Sequence, residues 1–280
     1  METQALEGAF GVEVNGLDLG DQLSELDIEG LRAALLTHRL LVFRDQTLDA
    51  IRLRELGRHF GRLDIHPYIE AVPGTPEVIA VVKEADEKHN FGGGWHSEVS
   101  FYEAPAMGTM LYAVDVPNEG GDTLLADEIM AYKALPDDVK QRIGGLTAKH
   151  SAEHIYGEGG VYQKRADGDV SGTKTQRPEA AKGHVEHPIV RSHPDTGEKI
   201  LYVNLAFTIG ITDLPEDEGR ELLTSLVKHA VKPEFVTRLH WEPGTVAFWD
   251  NRCTQHYALN DYAGKRREML RVVVAGDRPH

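Results

Sequence analysis

Three side chains in this sequence could hold a metal ion and leave coordination positions open: His96, Glu98 and His256. His96 and Glu98 stand two apart in Gly94-Trp95-His96-Ser97-Glu98-Val99-Ser100-Phe101, an apolar–polar alternation that predicts a strand. On a strand, side chains two apart face the same way, so both could meet one ion without distorting the backbone. His256, far along the chain, would supply a third ligand from a neighbouring strand. Two histidines and one carboxylate with vacant positions are the ligand set of non-haem Fe(II) oxygenases. Fourteen histidines make accidental clusters common. His184, Glu186 and His187 form a rival group, but it lacks a distant partner. His150 and His154 lack the adjacent glutamate of a zinc-protease helix.

The block from Trp249 to Arg271 adds cations. On a strand over residues 268–275 and its approach, Arg267, Met269 and Arg271 share one face, and Glu268, Leu270 and Val272 the other. Two arginines pointing the same way repel unless each meets an anion, and the planar guanidinium suits a carboxylate held by two parallel hydrogen bonds. Spacing alone leaves a plainer alternative open: both could pair with surface acids, of which the chain has 45.

Periodicity predicts the elements that must position these groups. Strands are expected at 10–19, 40–43, 78–82, 110–116, 123–126, 200–203, 207–211, 235–241, 245–249 and 268–275. Helices are expected at 27–38, 48–60, 130–143 with a break at Pro136, and 215–230. The last has an acidic first turn and a basic end that complement its dipole. A polar stretch, 83–94, ends in three glycines that allow close approach to a ligand. Segment 151–183 is rich in Gly, Lys, Asp and Thr and lacks sustained periodicity. A stretch this long inside a compact domain reads as a lid or a flexible insertion. The pattern predicts a mainly β fold with flanking helices, built as a β-sandwich in one domain over residues 1–280.

Composition narrows the partners. A formal net charge of -15 repels polyanions and argues against nucleic acid. No apolar run approaches the ~18 residues that span a bilayer. The first ten residues lack the apolar core of a secretory signal. The lone cysteine, Cys253, excludes an intrachain disulfide and fits a reducing cytoplasm. It is expected to serve as a small buried apolar residue.

The motifs together resemble the taurine dioxygenase (TauD/TfdA) family of Fe(II)- and 2-oxoglutarate-dependent oxygenases. The likeness runs from Val12-Glu13-Val14 and Leu41-Val42-Phe43-Arg44-Asp45-Gln46 to Gly276-Asp277-Arg278-Pro279. It is strongest at Trp95-His96-Ser97-Glu98-Val99-Ser100-Phe101, Gly120-Gly121-Asp122-Thr123, His187-Pro188-Ile189-Val190-Arg191 and the block from Trp249 to Arg271. The resemblance implies a double-stranded β-helix (jelly-roll) core with Fe(II) at one mouth, 2-oxoglutarate as co-substrate, and O2. By motif position, His96, Glu98 and His256 match the metal ligands. Arg267 and Thr123 match the groups that grip the far carboxylate of 2-oxoglutarate. Arg271 and His66 match the anchors of an anionic substrate, a sulfonate, alkyl sulfate or carboxylate such as an aryloxyalkanoate, hydroxylated with or without C–S or C–O cleavage. His187 falls in a motif that carries no metal, and self-association is common in the family.

Two departures bear on substrate and metal. The family usually has Asp where Glu98 stands, and the extra methylene pushes the carboxylate outward by roughly 1.5 Å. Taurine enzymes carry Tyr and Asn near positions occupied here by Ile69 and Gly92, which points to a larger or more apolar substrate body. Phe101, Phe207 and Trp249 are the residues expected to line its pocket. Two other readings use the same ligands: a zinc hydrolase, and a sensor that binds metal and 2-oxoglutarate without turnover.

Overall fold

The computed structural model describes residues 1–166 and 173–280. A run of apolar residues becomes a central strand when both faces of a sheet are covered. Leu40–Phe43 shows this, with all four residues buried. Leu40 and Val42 pack with Leu111, Ala113, Ala247, Trp249 and Met269, while Leu41 and Phe43 pack with Met110, Tyr112, Phe248, Leu270 and Val272.

That strand belongs to an eight-stranded sheet. Its spatial order is Glu2–Ala5, Val12–Asn15, Leu40–Phe43, Val246–Asp250, Ala106–Asp115, Arg267–Ala275, Thr75–Lys83 and Ala71–Val72. All pairs are antiparallel except Val12–Asn15 with Leu40–Phe43. Helices Glu25–His38 and Ala50–Arg58 cover the outer face through Leu31, Leu35, Leu53 and Leu56. Ser24 and Asp49 cap these helices, the first in a capping box with Asp27.

The inner face looks across a shared core at two three-stranded sheets. One orders Thr208–Ile211, Thr147–His150 and Val185–Pro188; the other orders Val236–Leu239, Thr123–Asp127 and Thr254–Ala258. Val42, Val81, Leu111 and Met269 from the large sheet meet Leu125 and Leu239 from the second of these. Helix Glu216–Ala230 backs the first small sheet through Leu222, Leu226 and Ala230. This is the jelly-roll core with flanking helices that the resemblance implied.

Several sequence expectations change at their edges. The strand expected at 10–19 shortens to Val12–Asn15, and the one at 78–82 extends to Thr75–Lys83. The helix expected at 130–143 splits into Glu128–Lys133 and Asp137–Ile143, with Pro136 at the break. Segment 151–183 contains helices Glu153–Tyr156 and Val161–Ala166 and a 3-10 turn at Pro178–Ala180. Residues 167–172 of that stretch lie outside the described residues.

Buried polar groups make this fold sensitive to acid. Arg252 grips Asp250 with Nε and Nη2 at 2.8 and 2.7 Å, and His193 Nε2 lies 3.1 Å from the same carboxylate. Burial alone would raise the Asp250 carboxyl, but the bonds from Arg252 and His193 outweigh it and bring it down to about 2. Replacing Asp250 by Ala strips Arg252 of this partner inside the protein and should cost about 3 kcal/mol, read from urea unfolding.

His150, buried beside His187, is pushed down by burial and by that neighbour to about 3. Its ordinary value is about 6.5, so between these limits the unfolded chain binds a proton that the folded one refuses. Stability should therefore fall as pH drops from 7.5 to 5, with His66, His187 and His256, also pushed down by burial, adding to the slope against the raised Glu128 carboxyl. The Asp250 carboxylate adds no slope there, because it titrates well below that window. A urea midpoint that stayed flat across the interval would contradict this account.

Candidate active site

His96 and His256 face each other on one antiparallel bridge. The His96 N–H donates to the His256 carbonyl at 3.0 Å, and the reciprocal bond measures 2.8 Å. His256 sits within Thr254–Ala258, but the strand expected over residues 94–101 does not form. Only His96 bridges; the chain then turns over residues 98–101, with Val99 at φ 45°. This turn, rather than strand alternation, brings Glu98 round. It is held from below: Ser100 Oγ accepts from Asn204 Nδ2 and lies 3.1 Å from His150 Nδ1.

All three side chains are buried, and their potential ligand atoms lie within 4.8 Å of one another. His96 Nδ1 lies 2.8 Å from the Gly94 carbonyl, which can only accept, so Nδ1 carries the hydrogen and Nε2 keeps its lone pair. Burial pushes the His96 imidazole down, partly offset by the Glu98 charge and the Gly94 bond. Burial pushes His256 well down too, and His96 and Arg271 add to it. Neutral imidazoles are the form that binds a metal. His256 Nδ1 has no hydrogen-bond partner among the described residues. Two neutral nitrogen donors and one carboxylate, buried together, fit a divalent ion of the Fe(II) type.

The arginines differ in their partners. Arg271 Nη1 donates to Glu98 Oε2 at 2.8 Å, inside the protein. Its Nε and Nη2 have no partner among the described residues, and neither do Nε and Nη2 of Arg267. Burial pulls Arg267 below its ordinary value, as expected for a cation lacking a close anion. Thr123 Oγ1 accepts from Trp241 Nε1 at 2.9 Å, which leaves its own hydrogen free to donate elsewhere. One cavity is lined by His96, His256, Thr123, Arg267 and Arg271, with Trp249 against His256.

A family model described as "Taurine catabolism dioxygenase TauD, TfdA family" matches residues 2–273. The chain belongs to this family. It is 32% identical to the alpha-ketoglutarate-dependent sulfate ester dioxygenase of Pseudomonas putida, over 100% of this chain and 91% of that protein. It is also 32% identical to the alpha-ketoglutarate-dependent 2,4-dichlorophenoxyacetate dioxygenase of Burkholderia sp. (strain RASC), over 99% and 95%. Among solved structures, a putative alpha-ketoglutarate-dependent taurine dioxygenase from Burkholderia xenovorans superposes with a TM-score of 0.82 at 32% identity, covering 99% of this chain and 93% of that one.

In this TauD/TfdA-family chain, His66 lies beside Arg271 in a second, small cavity. The Tyr68 N–H donates to His66 Nδ1 at 3.2 Å, so Nε2 bears the hydrogen, and it has no partner among the described residues. Burial, with the Arg271 charge, pushes this ring well down and keeps it neutral. A third cavity of about 250 Å³ opens beside His96, lined by Phe91, Gly92, Tyr156, Tyr162 and Phe207. Phe101 supports it, its ring 4.8 Å from that of Phe207. Gly92, at φ 74°, closes against His96. Sequence reasoning missed Phe91, Tyr156 and Tyr162; aromatics inside an otherwise polar, aperiodic stretch were the available signal.

The rival clusters do not assemble. His184 and Glu186 are exposed and 3.8 Å apart, while His187 is buried with Nε2 on the Tyr102 carbonyl at 2.9 Å. His150 ends a strand and His154 lies in the following helix, so the two do not share a helical face. His193, Asp250 and Cys253 also lie within ligand distance of one another. Arg252 already occupies both Asp250 oxygens, and burial pushes the Cys253 thiol up, so the ligand set is incomplete. Cys253 is buried, as expected of a small apolar residue.

Removing Arg271 would leave the Glu98 charge buried and uncompensated. In the metal-free protein, Arg271→Ala should cost about 3 kcal/mol by urea unfolding. Saturating Mn(II) should recover part of that loss, because a cation would again face the carboxylate. Equal stability of variant and wild type without metal would contradict the buried pair.

Proposed function

We propose that this chain is an Fe(II)- and 2-oxoglutarate-dependent dioxygenase that oxidises a small organic anion, with His96, Glu98 and His256 as the metal ligands. The reading rests above all on one cavity that joins the two histidines to Thr123, Arg267 and Arg271. Iron bound there would supply O2 activation and the oxidation of a substrate carbon, coupled to conversion of 2-oxoglutarate to succinate and carbon dioxide.

The chain's own residues do the rest. Gly94 fixes the His96 tautomer, and the paired backbone bridge fixes the spacing of both imidazoles. Arg271 holds one oxygen of Glu98, which restrains a ligand one methylene longer than the usual aspartate. Arg267 and Thr123 both offer free donors in a dry site and suit the far carboxylate of 2-oxoglutarate; burying the guanidinium is unfavourable, and charge-assisted bonds to that anion would offset it. Neutral His66 and the unpaired edge of Arg271 suit the substrate's anionic group. The aromatic wall of Phe91, Tyr156, Tyr162 and Phe207 would pack an apolar body and keep water from the reacting centre.

The substrate class follows from this arrangement and from the relatives: a sulfonate, an alkyl sulfate or a carboxylate such as an aryloxyalkanoate, carried on an apolar body. Segment 151–183 is read as a cover over that body, within one dioxygenase domain spanning the chain. Its described parts support this, since Tyr156 and Tyr162 reach the cavity and Thr173 is tied to both the N–H and the carbonyl of Val82. Among the described residues no helix is long and apolar enough to cross a membrane. With one cysteine and a charge of -15, a cytoplasmic enzyme without nucleic-acid partners is the matching setting. The zinc-hydrolase and non-catalytic readings leave Arg267 and Thr123 without a task, and the named relatives do not favour them.

A panel of small sulfonates, alkyl sulfates and aryloxyalkanoates, scored for substrate-dependent succinate, tests the proposal. At least one class should stimulate succinate release that requires both Fe(II) and 2-oxoglutarate. His256→Ala should abolish it and weaken Mn(II) binding by at least about tenfold, read by calorimetry. Arg271→Ala should raise the substrate KM far more than the apparent Kd for 2-oxoglutarate, and Arg267→Ala the reverse. Unchanged Mn(II) binding in His256→Ala would sink the ligand assignment.

A further inference from the structure

Strand Thr75–Lys83 ends on a lysine that periodicity alone assigned to the following loop. Lys83 is 3% exposed, and its Nζ has no hydrogen-bond partner among the described residues. A buried ammonium is costly unless an anion or strong acceptors face it. The ladder places Lys83 directly opposite Arg267. Directly opposed residues leave the sheet on the same face, with Cβ atoms about 5 Å apart. Arg267 is 4% exposed and carries two unpartnered nitrogens of its own. Two adjacent buried cations repel, so the pair calls for an anion between them.

The acids nearby accept from other donors, and none bonds Lys83 Nζ or the Nε and Nη2 of Arg267. Asp122 acts on Arg267, but its oxygens take Arg238 Nε and His240 Nδ1. Glu87 accepts from the Glu84 N–H, and Asp261 from the Gly121 N–H. Aromatic faces soften the cost without replacing an anion. Lys83 Nζ lies 4.7 Å from the Tyr262 ring centroid, and Arg267 Cζ 5.9 Å from that of Trp241. Tyr262 also adjoins Arg267, since both would lie 3.3 Å from a Cβ on Gly121.

The position relative to the site follows from the strand. Val81 lines the cavity with Thr123 and Arg267. Lys83 shares the face of Val81, two residues further along the same strand. It therefore follows Val81 on that face, just beyond the cavity lining, at the Arg267 end and away from Glu98.

We infer that Lys83 is a second cationic contact for the far carboxylate of 2-oxoglutarate, sharing that group with Arg267 and Thr123; the inference rests on the dioxygenase reading above. The co-substrate would then bring the anion that the buried pair lacks. A purely structural lysine, held on the Tyr262 ring, would have no bearing on which 2-oxo acid binds.

The two ends of the co-substrate can be tested separately without turnover. Fe(II)-loaded protein is titrated without oxygen, and the visible charge-transfer absorption of the chelate is followed. The probes are 2-oxoglutarate and 2-oxobutanoate, which shares the chelating head but lacks the far carboxylate. Lys83→Met and Lys83→Gln should raise the apparent Kd for 2-oxoglutarate by about tenfold or more, and leave that for 2-oxobutanoate within about twofold. Lys83→Arg should restore most of the 2-oxoglutarate affinity. If Lys83→Met does not fold, Lys83→Gln and Lys83→Arg carry the comparison. An unchanged 2-oxoglutarate Kd overturns the inference, and so does equal weakening of both acids. If the wild type shows no absorption with either acid, the dioxygenase reading fails first and takes the Lys83 assignment with it.

Discussion

The buried Glu98–Arg271 ion pair, at 2.8 Å, is the contact around which this interior is arranged. Arg267 Nε and Nη2 and Lys83 Nζ, by contrast, have no hydrogen-bond partner among the described residues, although the Asp122 charge acts on Arg267. Arg267 and Arg271 stand on one strand, Lys83 ends its neighbour, and Glu98 sits in the turn after His96. A dication near Glu98 and carboxylates near the arginines would suit these groups, so ligand binding and core electrostatics are coupled here.

Much of the fold was legible in the sequence because burial on two faces leaves a plain mark. Leu40–Phe43 and the residues around Met269 read as apolar runs and form central strands. Alternation correctly put Arg267, Met269 and Arg271 on one face, with Leu270 and Val272 turned to the helices. Element ends were less legible. Lys83 reads as the start of a polar loop, because a buried lysine at a strand end leaves no pattern that distinguishes it from a solvated one.

The site shows a different balance. Residue type and motif singled out His96, Glu98 and His256, which the structure brings together, yet the local reasoning for the first two was wrong. Strand alternation was to set them side by side, whereas a turn with Val99 at positive φ does so. Pairwise spacing cannot distinguish these routes, because both place the same two side chains near one point. Nor could spacing reveal that Arg271 would engage Glu98, a contact between residues 173 positions apart. The aromatic wall was hidden for a related reason: Tyr156 and Tyr162 sit in a stretch without periodicity, and only tertiary packing aligns them with Phe91 and Phe207.

The bridge between His96 and His256 has a wider consequence. Both imidazoles hang from one rung of backbone hydrogen bonds, whereas the rings that would touch a substrate's body come largely from outside the sheets. The spacing of the two imidazoles is thus independent of the side chains that line the larger cavity. Substitutions in the aromatic wall can change what the larger cavity admits without touching the rung that spaces the two imidazoles.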